Sequence, residues 1–276
     1  LFFFVYRLDS GPKTIKKKKF KSMLAAERHR RILDLLLKAE AISTVDVARE
    51  LRVTAETVRR DFETLEADGR LSRQHGGAVC ADDSRRDLSL NSRESVNVAA
   101  KNTIAKLALS QINAGDTVFF DASSTVFHLA CLLSNIELTV LTTALKAAME
   151  LARRPSVQVI ILGGVVNHRS LSCQGALAEN ALDSFHVQKA FMSCRGVDAA
   201  RGVSEANSEQ AGLKRKIMAL ADQSILLADH TKMGIKSSFL FADLSDFGAL
   251  ITDRSPPKSI TAALRRGKAN VLTNVG

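Results

Sequence analysis

Between residues 26 and 38 the apolar positions Ile32, Leu33, Leu35 and Leu36 fall on one broad face, with Glu27, Arg28, Arg30 and Arg31 off it, which predicts an amphipathic helix. Ser43 is placed to cap a shorter helix over about 44–51, with Val45, Ala48 and Leu51 facing inward. Arg52 and Val53 make a tight connection to Thr54, whose hydroxyl can cap a third helix running to about Ala67. Two helices joined this closely predict a helix-turn-helix. In the third helix Val58, Phe62 and Leu65 form the buried stripe; Glu56, Arg60 and Glu63 stand opposite, with Thr57 and Arg59 on the flanks. After Gly69, residues 71–79 read as a short hairpin turning at Gly76 and Gly77, with Arg73, Gln74 and His75 along it like a wing.

Past a polar linker at 81–91 the periodicity changes. Short apolar runs at 117–120, 139–141, 157–162, 189–192, 224–228, 248–251 and 270–272 alternate with amphipathic helices, which predicts an α/β domain with a mostly parallel sheet over 92–276. Small or polar residues follow the runs: Asp121, Ser123, Ser124 and Thr125; Thr142 and Thr143; Gly163 and Gly164; Ser193 to Gly196; Asp229 to Lys232; Thr252 and Asp253. Ligands of open α/β sheets bind beside such strand ends, so these loops converge on one candidate pocket. Ser123, Ser124 and Thr125 stand before a helix starting near Val126, where free amides, hydroxyls and the helix dipole favour phosphate; plain helix capping explains the same residues. Lys232, with Gly234 two residues on, can supply positive charge or be a solvated surface lysine, and the Gly163 and Gly164 pair alone means a turn. His128, His168, His186 and His230 have no partner at metal spacing, so no metal is expected. Asp121, Glu209 and Asp229 are candidate acids or bases, but no nucleophile and base pair emerges from spacing.

Of the 276 residues, 46% are hydrophobic and 25% charged, a globular usage. Thirteen Phe, one Tyr and no Trp argue against an aromatic carbohydrate platform or an RNA-stacking surface. The net charge of +10 favours anionic partners, but residues 1–22 hold seven basic side chains against one acidic, while residues 27–80 balance at ten of each. Cys80, Cys131, Cys173 and Cys194 are widely spaced and read as reduced thiols. The apolar opening precedes the basic run, the reverse of a signal peptide, and no apolar run nears the roughly 18 residues of a membrane span, so a soluble cytoplasmic protein is expected. Residues 1–23 read as a basic, disordered extension or a misassigned start.

A solvated face is the default reading of alternating Glu and Arg on a helix. Here three helices, a short second turn and a basic wing occur together, which points to duplex DNA. Thr54, Glu56, Thr57, Arg59 and Arg60 then face the major groove, and Arg73, His75 and Gly76 the adjoining backbone. The segments ERHRRILDLL from Glu27, VDVARELRVTAETVRRDFETLEADGRL from Val45 and RQHGGAV from Arg73 resemble the DeoR type of bacterial transcriptional repressors. The resemblance covers nearly all of residues 24–276. It implies a winged helix-turn-helix at 24–80 and, beyond it, a sensor domain of the ribose-5-phosphate isomerase and CoA-transferase fold. A homo-oligomer on operator DNA, released by a phosphorylated small-molecule effector and using no cofactor, is the implied behaviour. Asp121, Ser124, Thr125, Gly163, Gly164, Asp229 and Lys232 match that family's effector loops, and Gly196, Asp198 and Gly202 a further glycine motif. Ser123, Thr143 and Gln210 depart from its pattern in the same pocket. The rival reading is a sugar-phosphate isomerase or CoA-transferase-like enzyme with an appended DNA-binding module, supported by fold analogy alone. Activation in place of repression is a third.

Overall fold

Ser43 and Thr54 set the local architecture of the first unit. The Ser43 hydroxyl accepts from the amides of Val45 and Asp46, and the Thr54 hydroxyl from the amide of Thr57, so each satisfies free donors where a helix begins. The computed structural model describes residues 23–38, 41–68, 70–74, 76–80, 89–94 and 96–273. The expected basic extension and His75 lie outside them. Two compact units divide the chain, Leu1–Ala81 and Asp82–Gly276.

The first unit runs α1 (Ala25–Lys38), β1 (Ala41–Ser43), α2 (Thr44–Leu51), α3 (Ala55–Ala67), β2 (Leu71–Gln74) and β3 (Gly77–Cys80). Arg52 stops α2 in a left-handed conformation, φ 55°, and returns its amide to the last turn. Ile32, Leu36, Val47, Leu51, Val58, Phe62 and Leu65 form the core, joined by Leu71 and Ala78 from the wing. The inward face of α2 differs from the sequence reading: Val45 is 59% exposed, and Val47 is buried in its place. Both the 44–47–51 and the 45–48 spacings fit a helical stripe, and packing against α3 and the wing selects the first. The wing is also larger than a hairpin, because β1 pairs with β3 in a three-stranded antiparallel sheet ordered β1-β3-β2. Gly77 permits this, since a side chain there would drive into the carbonyl of Ile42.

The second unit runs α4 (Leu90–Glu94), α5 (Val98–Leu109), β4 (Thr117–Phe120), α6 (Ser124–Leu132), β5 (Leu138–Thr142), α7 (Leu145–Leu151), β6 (Val157–Ile161), β7 (Val165–Asn167), β8 (Ser172–Gln174), α8 (Ala176–Leu182) and β9 (Val187–Met192). It continues through β10 (Gly196–Asp198), β11 (Gly202–Glu205), α9 (Ser208–Leu220), β12 (Ala221–Leu227), β13 (Phe239–Ala242), β14 (Ala249–Thr252), α10 (Lys258–Arg266) and β15 (Asn270–Thr273). The seven apolar runs all become strands of one parallel sheet, ordered β15-β14-β12-β9-β4-β5-β6. Alternate side chains feed opposite faces: Phe119, Leu141, Ala190, Met192, Leu226 and Leu250 enter one core, and Val118, Phe120, Val140, Phe191, Ile225 and Ile251 the other. Helices cover both faces, so the strand carboxyl ends become the polar rim. Two small antiparallel sheets, β7-β8 and β10-β11-β13, are additions that the sequence reading did not assign. Among the described residues no helix is long and apolar enough to cross a membrane.

Candidate functional site

On α3 the polar face carries Glu56, Arg59 and Arg60, all exposed, with Arg59 3.3 Å and Arg60 3.5 Å from the Glu56 carboxylate. Exposed pairs of this kind hold weakly and exchange readily for another anion. The next residue behaves differently. Asp61 is buried, and its carboxylate accepts from Nε and Nη2 of Arg28, the latter at 2.8 Å, while His29 Nε2 lies 3.0 Å from it. The hydrogen bond to Asp61 raises the Arg28 guanidinium above its ordinary value, against the burial that would lower it. This fork ties α1 to the helix that displays the arginines. Arg73 of the wing pairs with the C-terminal half of α3, Nη1 to Glu63 at 2.6 Å and Nε to Glu66 at 2.9 Å. Thr54 and Thr57 join hydroxyls 2.8 Å apart in the cap, and Gly76 turns the wing at φ +84° while its carbonyl accepts from the amide of Thr44. Arg59 and Arg60 are therefore the outward cations, whereas Arg73 is already neutralised by two carboxylates.

In the second unit the residues named from sequence sort into two groups. Asp121 is buried at the end of β4 and accepts from the amides of Ser123 (3.0 Å) and Ser193 (2.8 Å). Its second role is as an ion-pair partner: Lys214 Nζ lies 3.0 Å from it, donates to the Ser193 carbonyl at 2.6 Å, and pairs with Glu205. Burial alone would lower the Lys214 ammonium, but Asp121 and Glu205 outweigh it and raise it above its ordinary value. The Ser123 hydroxyl caps α6 through the amide of Val126, and the Thr142 hydroxyl donates to the Phe120 carbonyl at 2.7 Å while accepting from the amide of Ala144. Gly164, at φ +136°, lies so close to the Gln174 carbonyl that a side chain would collide with β8; Gly163 faces open space. These residues build the rim.

The second group has no bonding partner among the described residues. Among the described residues the hydroxyls of Ser124, Thr125 and Thr143 make no hydrogen bond, and the half-buried Lys232 ammonium has neither hydrogen bond nor ion pair. Ser124 and Thr125 begin α6, where the first amides have no acceptor inside the helix. Burial depresses the Lys232 ammonium; nearby Asp229 opposes the shift and Arg195 adds to it. Asp229 is buried and accepts from the amide of Thr231 at 3.0 Å, from the Thr231 hydroxyl, and from the side-chain amide of Asn97 at 3.3 Å. His230 is held by its ring Nδ1, 2.7 Å from Asp253.

Four residues of this layer escape sequence reading. Asn97, in a left-handed conformation at φ 53°, also donates to the Thr231 hydroxyl at 3.1 Å. Lys101 is buried and donates to the carbonyls of Arg93 and Val96; burial pushes its ammonium down to about 8, with Asp229 opposing and Lys232 adding to the effect. Lys214 and Glu205 complete the set. The one legible signal was Lys214 itself, a lysine in the inward stripe of α9 between Leu213 and Ile217. Among the described residues no group of three His, Cys, Asp or Glu is arranged to hold a metal ion.

A winged helix-turn-helix carried in one chain with a parallel α/β unit of this build defines a class, the transcriptional regulators that contain their own sensor. The chain belongs to the DeoR family: residues 28–84 match the DeoR-like helix-turn-helix domain and residues 96–254 the DeoR C terminal sensor domain. It is 39% identical to the HTH-type transcriptional regulator YulB of Bacillus subtilis, over 90% of this chain and 96% of that protein. It is 33% identical to the transcriptional repressor GlcR of the same organism (91% and 96% covered) and 33% identical to the L-fucose operon activator of Haemophilus influenzae (79% and 88% covered). A ribose 5-phosphate isomerase a structure from Methanocaldococcus jannaschii aligns over 51% of this chain and 56% of that one, at 16% identity and a TM-score of 0.39.

Proposed function

We propose that the protein is a repressor of a carbohydrate-utilisation operon, bound to double-stranded operator DNA through α3 and the wing and released by a phosphorylated small molecule. Relatives named as a repressor and as an operon activator leave the family's reach at regulation of sugar genes, and repression is the reading adopted. Arg59 and Arg60 supply groove and phosphate contacts, Glu56 and Thr57 stand beside them, and Thr54 fixes the helix start. Arg73 and Gly76, with His75 beside them in sequence, would follow the backbone next to the groove. A homo-oligomer sets two such helices on repeated half-sites.

One observation supports the sensor reading most: a lysine, three hydroxyls and the first two amides of α6 stand in the strand-end layer with no partner among the described residues. Positive charge and unpaired donors at a helix start favour a phosphate. Asp121, Ser123, Thr142, Gly163, Gly164 and Asp229 act in this reading by shaping the layer, while Ser124, Thr125, Thr143 and Lys232 touch the anion. A ligand moves the DNA equilibrium only by binding the DNA-competent and incompetent states unequally. Enzymatic turnover is not part of the reading, which follows the relatives named as transcriptional regulators.

The experiment uses a duplex selected by the purified protein from a random library. Sugar phosphates should release wild-type protein from it, and Lys232→Ala should bind the duplex as wild type does but resist release. Release of the variant at wild-type concentrations would displace the anion from Lys232. Failure to select any duplex would remove the DNA reading, and a promoter whose transcription falls when the protein is deleted would make it an activator.

A further inference from the structure

Gln210 is only 7% exposed, and its side-chain amide has no hydrogen-bond partner among the described residues. It lies in the first turn of α9, four residues before Lys214, and residues four apart share a helix face. The direction of α9 fixes where that face leads. The helix ends at Leu220 and β12 starts at Ala221 with nothing between, so the far end of α9 lies on the carboxyl side of the sheet. Lys214 already reaches the Ser193 carbonyl just past the end of β9. One turn further on, with side chains leaning toward the helix N-terminus, the Gln210 amide projects beyond the Lys214 cluster into the strand-end layer.

A buried amide without a partner is disfavoured, because it loses water and gains nothing. We propose that the Gln210 Nε2 group is a ligand contact, donating a hydrogen bond to a neutral hydroxyl or carbonyl oxygen at the end of the effector remote from its phosphate. This rests on the reading of the strand-end layer as the effector site. The surroundings select the neutral oxygen. Asp121 and Glu205 both engage the Lys214 ammonium, so the cation one turn along α9 from Gln210 is already compensated and offers no free positive charge to a phosphate or a carboxylate. The anionic group is thus left to Lys232 and the start of α6, and Gln210 reads what the phosphate is attached to. It is a specificity-determining residue.

Titration of the full chain with inorganic phosphate and with aldose and ketose monophosphates of three to six carbons tests this. Wild-type protein should bind at least one sugar phosphate about tenfold more tightly than phosphate, the worth of one well-placed hydrogen bond. Gln210→Met, which keeps the volume, and Gln210→Glu, which keeps an acceptor but loses the donor, should both lose that margin and retain phosphate affinity. Unliganded Gln210→Met should melt no lower than wild type, an outcome that a structural amide would not give. A methionine variant with the wild-type preference, or with a lower melting temperature, overturns the inference and leaves the anion site standing. Wild-type protein that binds no sugar phosphate more tightly than phosphate overturns the effector reading, and this inference with it.

Discussion

Asn97 donates its side-chain amide to Oδ1 of Asp229 at 3.3 Å, across 132 residues of chain. The bond joins the turn before α5 to the loop that carries Lys232, and the same amide reaches the Thr231 hydroxyl. Asn97 does this from a left-handed backbone, a conformation Gly adopts freely and Leu does not. Asn97→Gly should therefore lose about 1 kcal/mol of stability with the hydrogen bonds, and weaken phosphate binding severalfold by freeing Asp229. Asn97→Leu should lose a further ~1–2 kcal/mol from the backbone. Urea unfolding measures both; equal stability of the two variants would show that the left-handed backbone at 97 carries no cost for a branched side chain.

The Arg28–Asp61 fork predicts a non-additive pair. Arg28→Met leaves a buried carboxylate with only His29 beside it and should cost about 3 kcal/mol. Adding Asp61→Leu should recover most of that loss, because two apolar groups replace two buried charges. A double variant as unstable as the sum of the singles would mean that the ion pair contributes nothing as a pair.

Glu56 offsets one of the two positive charges of Arg59 and Arg60, so Glu56→Gln should raise affinity for arbitrary duplex DNA and steepen its salt dependence. Arg60→Ala should do the reverse, weakening binding to a selected duplex by about 1–3 kcal/mol at fixed salt. A gel-shift titration at two salt concentrations separates these outcomes. Unchanged affinity of Arg60→Ala would take this side chain out of the interface.

Lys101 carries a pH signature. Its ammonium is held down to about 8 in the folded protein, against 10.5 as its ordinary value, so between these pH values the unfolded chain binds more protons than the folded one. Stability attributable to Lys101 must then rise with pH across that window, and at neutral pH the buried charge is a penalty on the order of 3 kcal/mol. Lys101→Met should accordingly compare best with wild type at pH 7 and worst at pH 10. A stability difference that stays flat from pH 7 to 10 would refute the depressed value.

Buried strands and amphipathic helices were legible in the sequence because their signals are local and continuous. The run at 157–162 holds five apolar residues in six, and α3 shows its stripe through Val58, Phe62 and Leu65. Strands β1, β7 and β10 have three residues each, too few for an alternation to stand out; β7 and β10 pair with the strand that follows them, whereas β1 takes a partner more than thirty residues on. The inward face of α2 was misread because two stripes fit an eight-residue helix, and only the neighbours decide between Val45 and Val47. In the strand-end layer Ser124 and Lys232 were visible from their position after apolar runs. Asn97 was not, because its partners Asp229 and Thr231 lie far away in the chain, and Lys101 and Glu205 were not, because burial and not spacing gives them their roles.

The clamp of Arg73 on Glu63 and Glu66 has a mechanical consequence. With α1 tied to the middle of α3 at Asp61 and the wing paired with it at Glu63 and Glu66, the helix that displays Arg59 and Arg60 is held by two neighbours at once. A substitution at Asp61 would loosen the first of these neighbours and leave the second in place, so the two supports can be removed one at a time.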